Sequence, residues 1–193
     1  MTNTAETILL TARDLFVERG LEGVSVRRIA KLVGVTPGAV YRHYDSKEHL
    51  LAEVAEAGLE LFGTMLYKAL EASTPEKRLY QTGQAYLEFG LTQPKYYEMI
   101  FMLSTEFWNH SQTLSKDYRL TFGTFQFLTD RVRECMDSGY LKPDDPLEVA
   151  TSVWVHAHGM MSSFVTGKIG MDEETFRDFF VLSSRHLVRG LAV

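Results

Sequence analysis

Apolar side chains recur along this chain at intervals of three and four residues, the period of an α-helix, and the breaks between these runs are residues that start or stop helices. The first run spans Thr4 to Gly20 with Ala12, Leu15 and Phe16 on one face. A second carries Val26, Ile29, Ala30 and Val33 behind Ser25, an N-cap residue, and Gly34 stops it in a left-handed conformation. Val35 offers an apolar plug for the corner. Thr36-Pro37 restarts a helix at once, with proline where its missing N–H costs nothing. Ser46 caps a long helix to about residue 72 with Leu50, Leu51, Val54, Leu61, Phe62, Met65, Leu66 and Ala69 in its stripe. Thr74-Pro75 and Gln93-Pro94 open two more, and a less regular segment lies near Asn109 to Ser111. Tyr118, Phe122, Phe125, Val132 and Met136 mark a helix that ends at Gly139. Asp145-Pro146-Leu147-Glu148 combines a cap, a first-position proline and a capping-box glutamate, opening a helix to about Val165. Asp172 to Glu174 open the last. Alternating strand runs, repeats and low-complexity linkers do not occur. The pattern predicts an all-α protein of about nine helices, with a three-helix N-terminal domain over 1–47 and a larger helical domain over 48–193.

Residues 25 to 47 have the layout of a helix-turn-helix for DNA. In the second helix of that pair Val40 and Tyr44 sit four apart and can face the core, whereas Pro37, Gly38, Ala39, Arg42 and His43 point elsewhere. Charge supports the reading. The stretch holds five basic residues against Asp45 alone, while residues 48 to 193 carry 13 basic and 20 acidic side chains, so the net charge of −5 conceals a polarised molecule. Charge alone would describe an ordinary solvated helix face; the turn, caps and spacing decide for DNA.

At 193 residues and 45% hydrophobic content the chain suffices for one small and one larger domain. Its single cysteine, Cys135, forms no intrachain disulfide, and no apolar run has the length of a membrane span or the layout of a signal peptide. The expected setting is the reducing cytoplasm, without a membrane partner. Cys135 lies on a helix and is expected to be packing rather than a redox sensor. No nucleophile motif, phosphate loop or paired-acid constellation points to an enzyme. The six histidines lack metal-ligand spacing, and no motif requires a cofactor.

The segments Gly23-Val24-Ser25-Val26-Arg27-Arg28-Ile29-Ala30, Gly34-Val35-Thr36-Pro37-Gly38-Ala39-Val40-Tyr41-Arg42-His43-Tyr44 and Ser46-Lys47-Glu48-His49-Leu50-Leu51 resemble the TetR family of one-component transcriptional regulators. The resemblance implies that the helix from Pro37 lies in the major groove, with Gly38, Ala39, Arg42 and His43 nearest the bases and Tyr41 and Tyr44 near phosphates. It makes Arg27 the candidate for a bidentate guanine contact and places Lys47 on a phosphate at the start of the next helix. The Thr36 hydroxyl is left to its own cap, a phosphate or both. For His43 a base contact and a plain surface position stay open.

The last two long helices are apolar on more than one face, and such helices need more than one burial partner. A single recognition helix reads only a few base pairs, and dimers place two about 34 Å apart on a pseudo-palindrome. The family builds a four-helix bundle from this pair, so a homodimer is expected, with Val149, Val153, Ala157, Met161, Phe164, Phe179, Ser183, His186 and Leu187 as candidate interface residues.

Tyr86-Leu87-Glu88-Phe89, Pro94-Lys95-Tyr96-Tyr97-Glu98-Met99-Ile100-Phe101 and Trp154-Val155-His156-Ala157-His158-Gly159 further resemble the regulatory domain type known for a Trp-His-Gly signature, although Gln93 stands where histidine is common. An effector site among the central helices would draw on Phe62, Met65, Tyr86, Phe89, Phe101, Met102, Phe107, Trp108, Tyr118, Phe122, Phe125, Trp154 and His158, which suit a small hydrophobic or aromatic molecule. Part of this set is expected to be core, and His158 can serve a ligand or a buried backbone group. Ser104 to Ser111 would supply a lid. The implied function is ligand-controlled DNA binding, with repression by default and the long helix from Ser46 as lever. A ligand-independent architectural DNA-binding protein or interaction adaptor is the alternative.

Overall fold

The computed structural model describes residues 3–103 and 114–193, with side chains described from residue 123 onward in the second segment. The described helices are α1 (Thr4–Gly23), α2 (Val26–Val33), α3 (Pro37–Tyr41), α4 (Lys47–Tyr67), α5 (Pro75–Thr92), α6 (Pro94–Tyr97), α7 (Leu114–Asp137), α8 (Pro146–Val165) and α9 (Glu173–Leu191). A 3-10 turn over Lys68–Glu71 extends α4, and a π turn over Glu98–Met102 extends α6. Among the described residues the nearest approach to a sheet is one isolated bridge between Leu141 and Ala192. The all-α expectation holds.

The helix boundaries follow from the capping chemistry. Ser25 accepts from the Arg28 amide, Thr36 from Ala39, Ser46 from His49, Thr74 from Lys77, Asp145 from Leu147 and Glu148, and Asp172 from Thr175. Each satisfies an N–H that the helix itself leaves unpaired. Gly34 adopts φ +79°, and the amides of Gly34 and Val35 both return to the Ala30 carbonyl. That left-handed turn fixes the corner between α2 and α3. The leading helix breaks at Gly20, its expected end, where φ +67° kinks the chain, and helical structure continues beyond it to Gly23.

The chain divides into two compact units, residues 1–60 with 95–120 and residues 61–94 with 121–193. The first, the head unit, has Ile8, Ala12, Phe16, Ile29, Ala30, Val40, Leu50, Leu51 and Val54 buried. Tyr96 belongs to it. Its ring lies 5.7 Å from that of Phe16, and it approaches α4 so closely at Gly58 that a Cβ there would stand 2.3 Å from the ring.

In the second unit α5 packs on α8, and α8 on α9. One core cluster joins Leu79, Val132, Cys135, Leu141, Val149 and Ala150. Burial, and then the Glu134 charge, push the Cys135 thiol up to about 11, the opposite of what a reactive thiolate requires. Two ion-pair groups link its helices. Glu134 accepts from Arg78 at 2.9 Å and from Arg131 at 2.7 Å and 3.1 Å, while Arg131, 9% exposed, also lies over the Phe127 ring. Burial raises the Glu134 carboxyl, but the hydrogen bonds and charges of both arginines outweigh it and hold the group below its ordinary value. Arg177 donates to both oxygens of Glu88 and to Glu173.

Candidate nucleic-acid interface and aromatic cluster

The short helix α3 presents one face to its own core and another to solvent. Val40 and Tyr44 are buried; Pro37, Gly38, Arg42 and His43 are exposed, and Tyr41 is 51% exposed. Ala39 departs from the sequence expectation here, whereas Tyr44 takes the core position that its spacing from Val40 predicts. Ala39 is only 8% exposed and packs inward beside Val40 rather than pointing outward. Tyr44 commits its hydroxyl to the Ala5 carbonyl at 3.0 Å, and burial, followed by the Glu53 charge, pushes its phenol up to about 12. It pins α1 to the turn after α3. The Thr36 hydroxyl accepts from Ala39 N at 3.2 Å, so its cap is in use.

Arg27 is exposed at the start of α2, on the same side of the chain's corner as Arg28, which is half-buried. Among the described residues Arg27, Arg28, Lys31 and Arg42 enter no ion pair. A cation without a carboxylate neighbour keeps its full potential for phosphate or a base edge. Gly38 contributes differently. An added Cβ there would meet only the Thr36 hydroxyl, at 4.0 Å, so the fold does not demand glycine and the helix surface is simply low at this point. Lys47 is half-buried, and its ammonium reaches the Leu21 carbonyl at 3.4 Å, closing the end of α1.

Elsewhere in the head unit a cleft of about 290 Å³ opens between the end of α1 and α6. Arg19, Glu22, Lys95 and Glu98 give its walls both signs of charge, with Lys95 and Glu98 paired at 3.1 Å. Its two walls lie some 75 residues apart, so no local pattern along the chain announces it.

Six of the candidate effector residues come together in the second unit. Phe62 lies 4.8 Å from Phe89 and 6.0 Å, edge-on, from Tyr86. The Tyr86 hydroxyl and His158 Nδ1 share a hydrogen bond of 3.1 Å, His158 stacks on Trp154 at 5.0 Å with planes 8° apart, and Phe125 meets Trp154 edge-on at 6.3 Å. Burial lowers the His158 pKa and favours the neutral ring. Met65 is half-buried; Phe101 pairs with Tyr97 in the head unit at 5.2 Å, and Met102 is exposed. Phe107, Trp108 and the segment Ser104 to Ser111, together with the side chains of Tyr118 and Phe122, lie outside the described residues.

The candidate dimer residues divide. Val149 belongs to the core cluster with Val153 packed against it, Met161 is fully buried in the notch left by Gly90, and Phe164 stacks on Phe176 at 4.1 Å. These side chains have partners inside the protomer. Ala157 and Leu187 are half-buried. Phe179 and His186 are exposed, and Ser183 shares a hydrogen bond of 3.2 Å with His156. The sequence reading missed Val155 and Leu182, 54% and 49% exposed. A signal was available: Ser152, Val155, Gly159 and Ser162 fall on one small-residue stripe of α8, and Phe179, Leu182 and His186 on one stripe of α9.

Against known proteins, the family model of bacterial regulatory proteins, tetR family, matches residues 8–54, and that of the tetracyclin repressor-like C-terminal domain matches residues 79–187. The HTH-type transcriptional repressor KstR2 of Rhodococcus jostii is 40% identical over 72 residues, covering 37% of this chain and 34% of that protein, so the chain spans about a third of that relative's length. The HTH-type transcriptional repressor AcnR of Corynebacterium glutamicum is 25% identical over 175 residues, covering 86% of this chain and 84% of that protein. Among solved structures, that of AibR in complex with isovaleryl coenzyme A and operator DNA superposes with a TM-score of 0.66 at 22% identity, covering 93% of this chain and 96% of that one, a likeness of fold. With models of both halves of the fold matched in order along its length, the chain belongs to the TetR family of helix-turn-helix transcriptional regulators.

Proposed function

We propose that the chain is a ligand-responsive repressor that acts in the cytoplasm by binding DNA rather than by catalysis, with residues 1–47 as the DNA-binding domain and 48–193 as the regulatory and dimerisation domain. The observation that carries this reading is the exposed face of α3 beside Arg27, where Gly38, Tyr41, Arg42 and His43 stand clear of the core and no carboxylate holds the arginines among the described residues. Arg27 and Arg42 read base edges, and Tyr41 contacts phosphate. Lys47, tied to the end of α1, orients α4 and adds positive charge beside its N-terminus.

Two such heads read a pseudo-palindrome as a homodimer. The seam is the exposed stripe of Val155 and Gly159 on α8 with Phe179, Leu182 and His186 on α9, because large apolar side chains left exposed on two helices favour burial against a second copy. The C-terminal half is of the Trp-His-Gly type, on Trp154, His158 and Gly159. A small hydrophobic or aromatic effector binds among the aromatic residues of the second unit and favours a conformation of different head spacing, which weakens operator binding by its differential affinity for the two states. That AibR is crystallised with both an acyl coenzyme A and operator DNA supports a two-ligand reading of this fold.

Selection of binding sites from random duplex DNA with the purified chain tests the proposal. The expected result is a pseudo-palindrome bound by two chains. Recovery of no motif, with affinity independent of sequence, contradicts it and favours an architectural role.

A further inference from the structure

One face of α9 meets solvent along most of its length. Thr175, Phe179, Leu182, His186 and Arg189 follow one another at alternate steps of four and three residues, the spacing of a helix that packs along a second helix, and all five are exposed. Phe179 and Leu182 form the apolar middle of this stripe. Asp178 and Arg185, seven residues apart, stand on one and the same flank of it, and both are exposed. Two helical turns, about 10 Å, separate them along their own helix. Among the described residues neither enters an ion pair, although Arg177, next to Asp178, holds Glu88 and Glu173.

The order of these charges discriminates between the ways in which such a face can be covered. A second α9 laid parallel and in register would set Asp178 against Asp178 and Arg185 against Arg185, like on like. Laid antiparallel, about a twofold axis between Phe179 and Leu182, it brings Asp178 beside the partner's Arg185 and Phe179 onto the partner's Leu182. The twofold supplies each of these contacts twice. We propose that α9 pairs in this antiparallel register with α9 of a second copy of the chain. The inference rests on the homodimer reading above and gives that dimer its register and its selectivity. The apolar middle supplies the affinity, while the flanking charges set orientation and partner choice, as they do in other paired helices. Antiparallel helix dipoles act in the same direction.

An exposed ion pair contributes little by itself, so reversing a charge tests the register better than removing one. Sedimentation equilibrium of the full chain and its variants at low salt reads the dimer dissociation constant. Asp178→Arg alone and Arg185→Asp alone each set like charges together at two symmetry-related places and should raise that constant about tenfold or more. An equimolar mixture of the two single variants brings opposite charges together again at both places, and its mixed dimer should return to within about threefold of the parent. In about 1 M salt, where screening reaches down to about 3 Å, each single variant should approach the parent, which a defect of folding would not do. Single variants that dimerise as tightly as the parent overturn the register, and so does a loss that persists both in the mixture and in high salt. In either case a dimeric parent leaves the homodimer reading standing. A parent that stays monomeric at every concentration reached overturns both.

Discussion

Arg27, Arg28 and Arg42 in the head stand without a carboxylate partner among the described residues, whereas Arg78, Arg131 and Arg177 in the second unit each hold at least one carboxylate. The same residue type therefore has two physical roles within one chain. A paired guanidinium at low exposure ties helices together, and removing its partner leaves a charge facing low-dielectric surroundings. An unpaired one at the surface adds little to stability and retains its potential for an external anion. The difference explains how a chain of net charge −5 keeps an unpaired basic face: the acidic excess lies in residues 48 to 193, where it includes the carboxylates that hold Arg78, Arg131 and Arg177.

Substitutions on the two sides should separate folding from binding. The largest effect on stability is expected from Glu134→Ala, which leaves Arg78 and Arg131 side by side; a loss of about 2 kcal/mol is expected, at the low end for a broken pair because Glu134 keeps some solvent contact. Chemical denaturation measures it. An unchanged midpoint would mean that the two arginines find other partners. Arg27→Ala and Arg42→Ala should move stability by less than about 0.5 kcal/mol, yet each should weaken operator binding by about 1–3 kcal/mol and relax preference at one position of each half-site. Titration of a selected site and its single-base variants decides this.

Glycines sharpen the comparison on a smaller scale. Gly58→Ala drives a methyl into the Tyr96 ring and should cost about 1 kcal/mol or more. Gly63→Ala on the same helix meets no atom within 4 Å and should gain a few tenths to about 1 kcal/mol by helix propensity. Thermal melts of the pair show whether close approach or propensity governs α4.

The pH dependence follows from Glu134. Its folded-state pKa lies below its unfolded value, so the pairing contributes fully above the unfolded carboxylate pKa of about 4.3 and is lost as pH falls through the lower folded value. Glu134→Gln should flatten the stability profile between about pH 5 and pH 3 relative to the parent chain. Identical profiles would remove Glu134 from the account.

Much of the molecule was legible in the sequence because its punctuation is local. Ser25, Gly34, Thr36-Pro37, Ser46, Asp145-Pro146 and Asp172 act within three or four residues of themselves, and the helices begin and end where they stand. What escaped is tertiary. The side chain of Ala39 lies against the core through the way α3 sits on α2, and Tyr44 finds the Ala5 carbonyl 39 residues away. Val149 and Met161 lie on a helix apolar on several faces, and periodicity shows that such a helix has two burial partners without saying which stripe meets which. Gly90, far off in sequence, claims Met161. The aromatic cluster was half legible: the residue types were right, while the pairing of Tyr86 with His158 spans 72 positions.

Specific DNA binding by the exposed basic face of the head is the property on which the proposed function depends. The measurement that tests it most directly is the affinity of the parent chain and of Arg27→Ala for a selected operator and for a shuffled duplex, over a series of salt concentrations. The parent should favour the operator by about a thousandfold or more at moderate salt, and Arg27→Ala should lose far more affinity on the operator than on the shuffled duplex. Equal affinity of the parent for both duplexes, or an equal loss on both in the variant, would contradict sequence reading by this face.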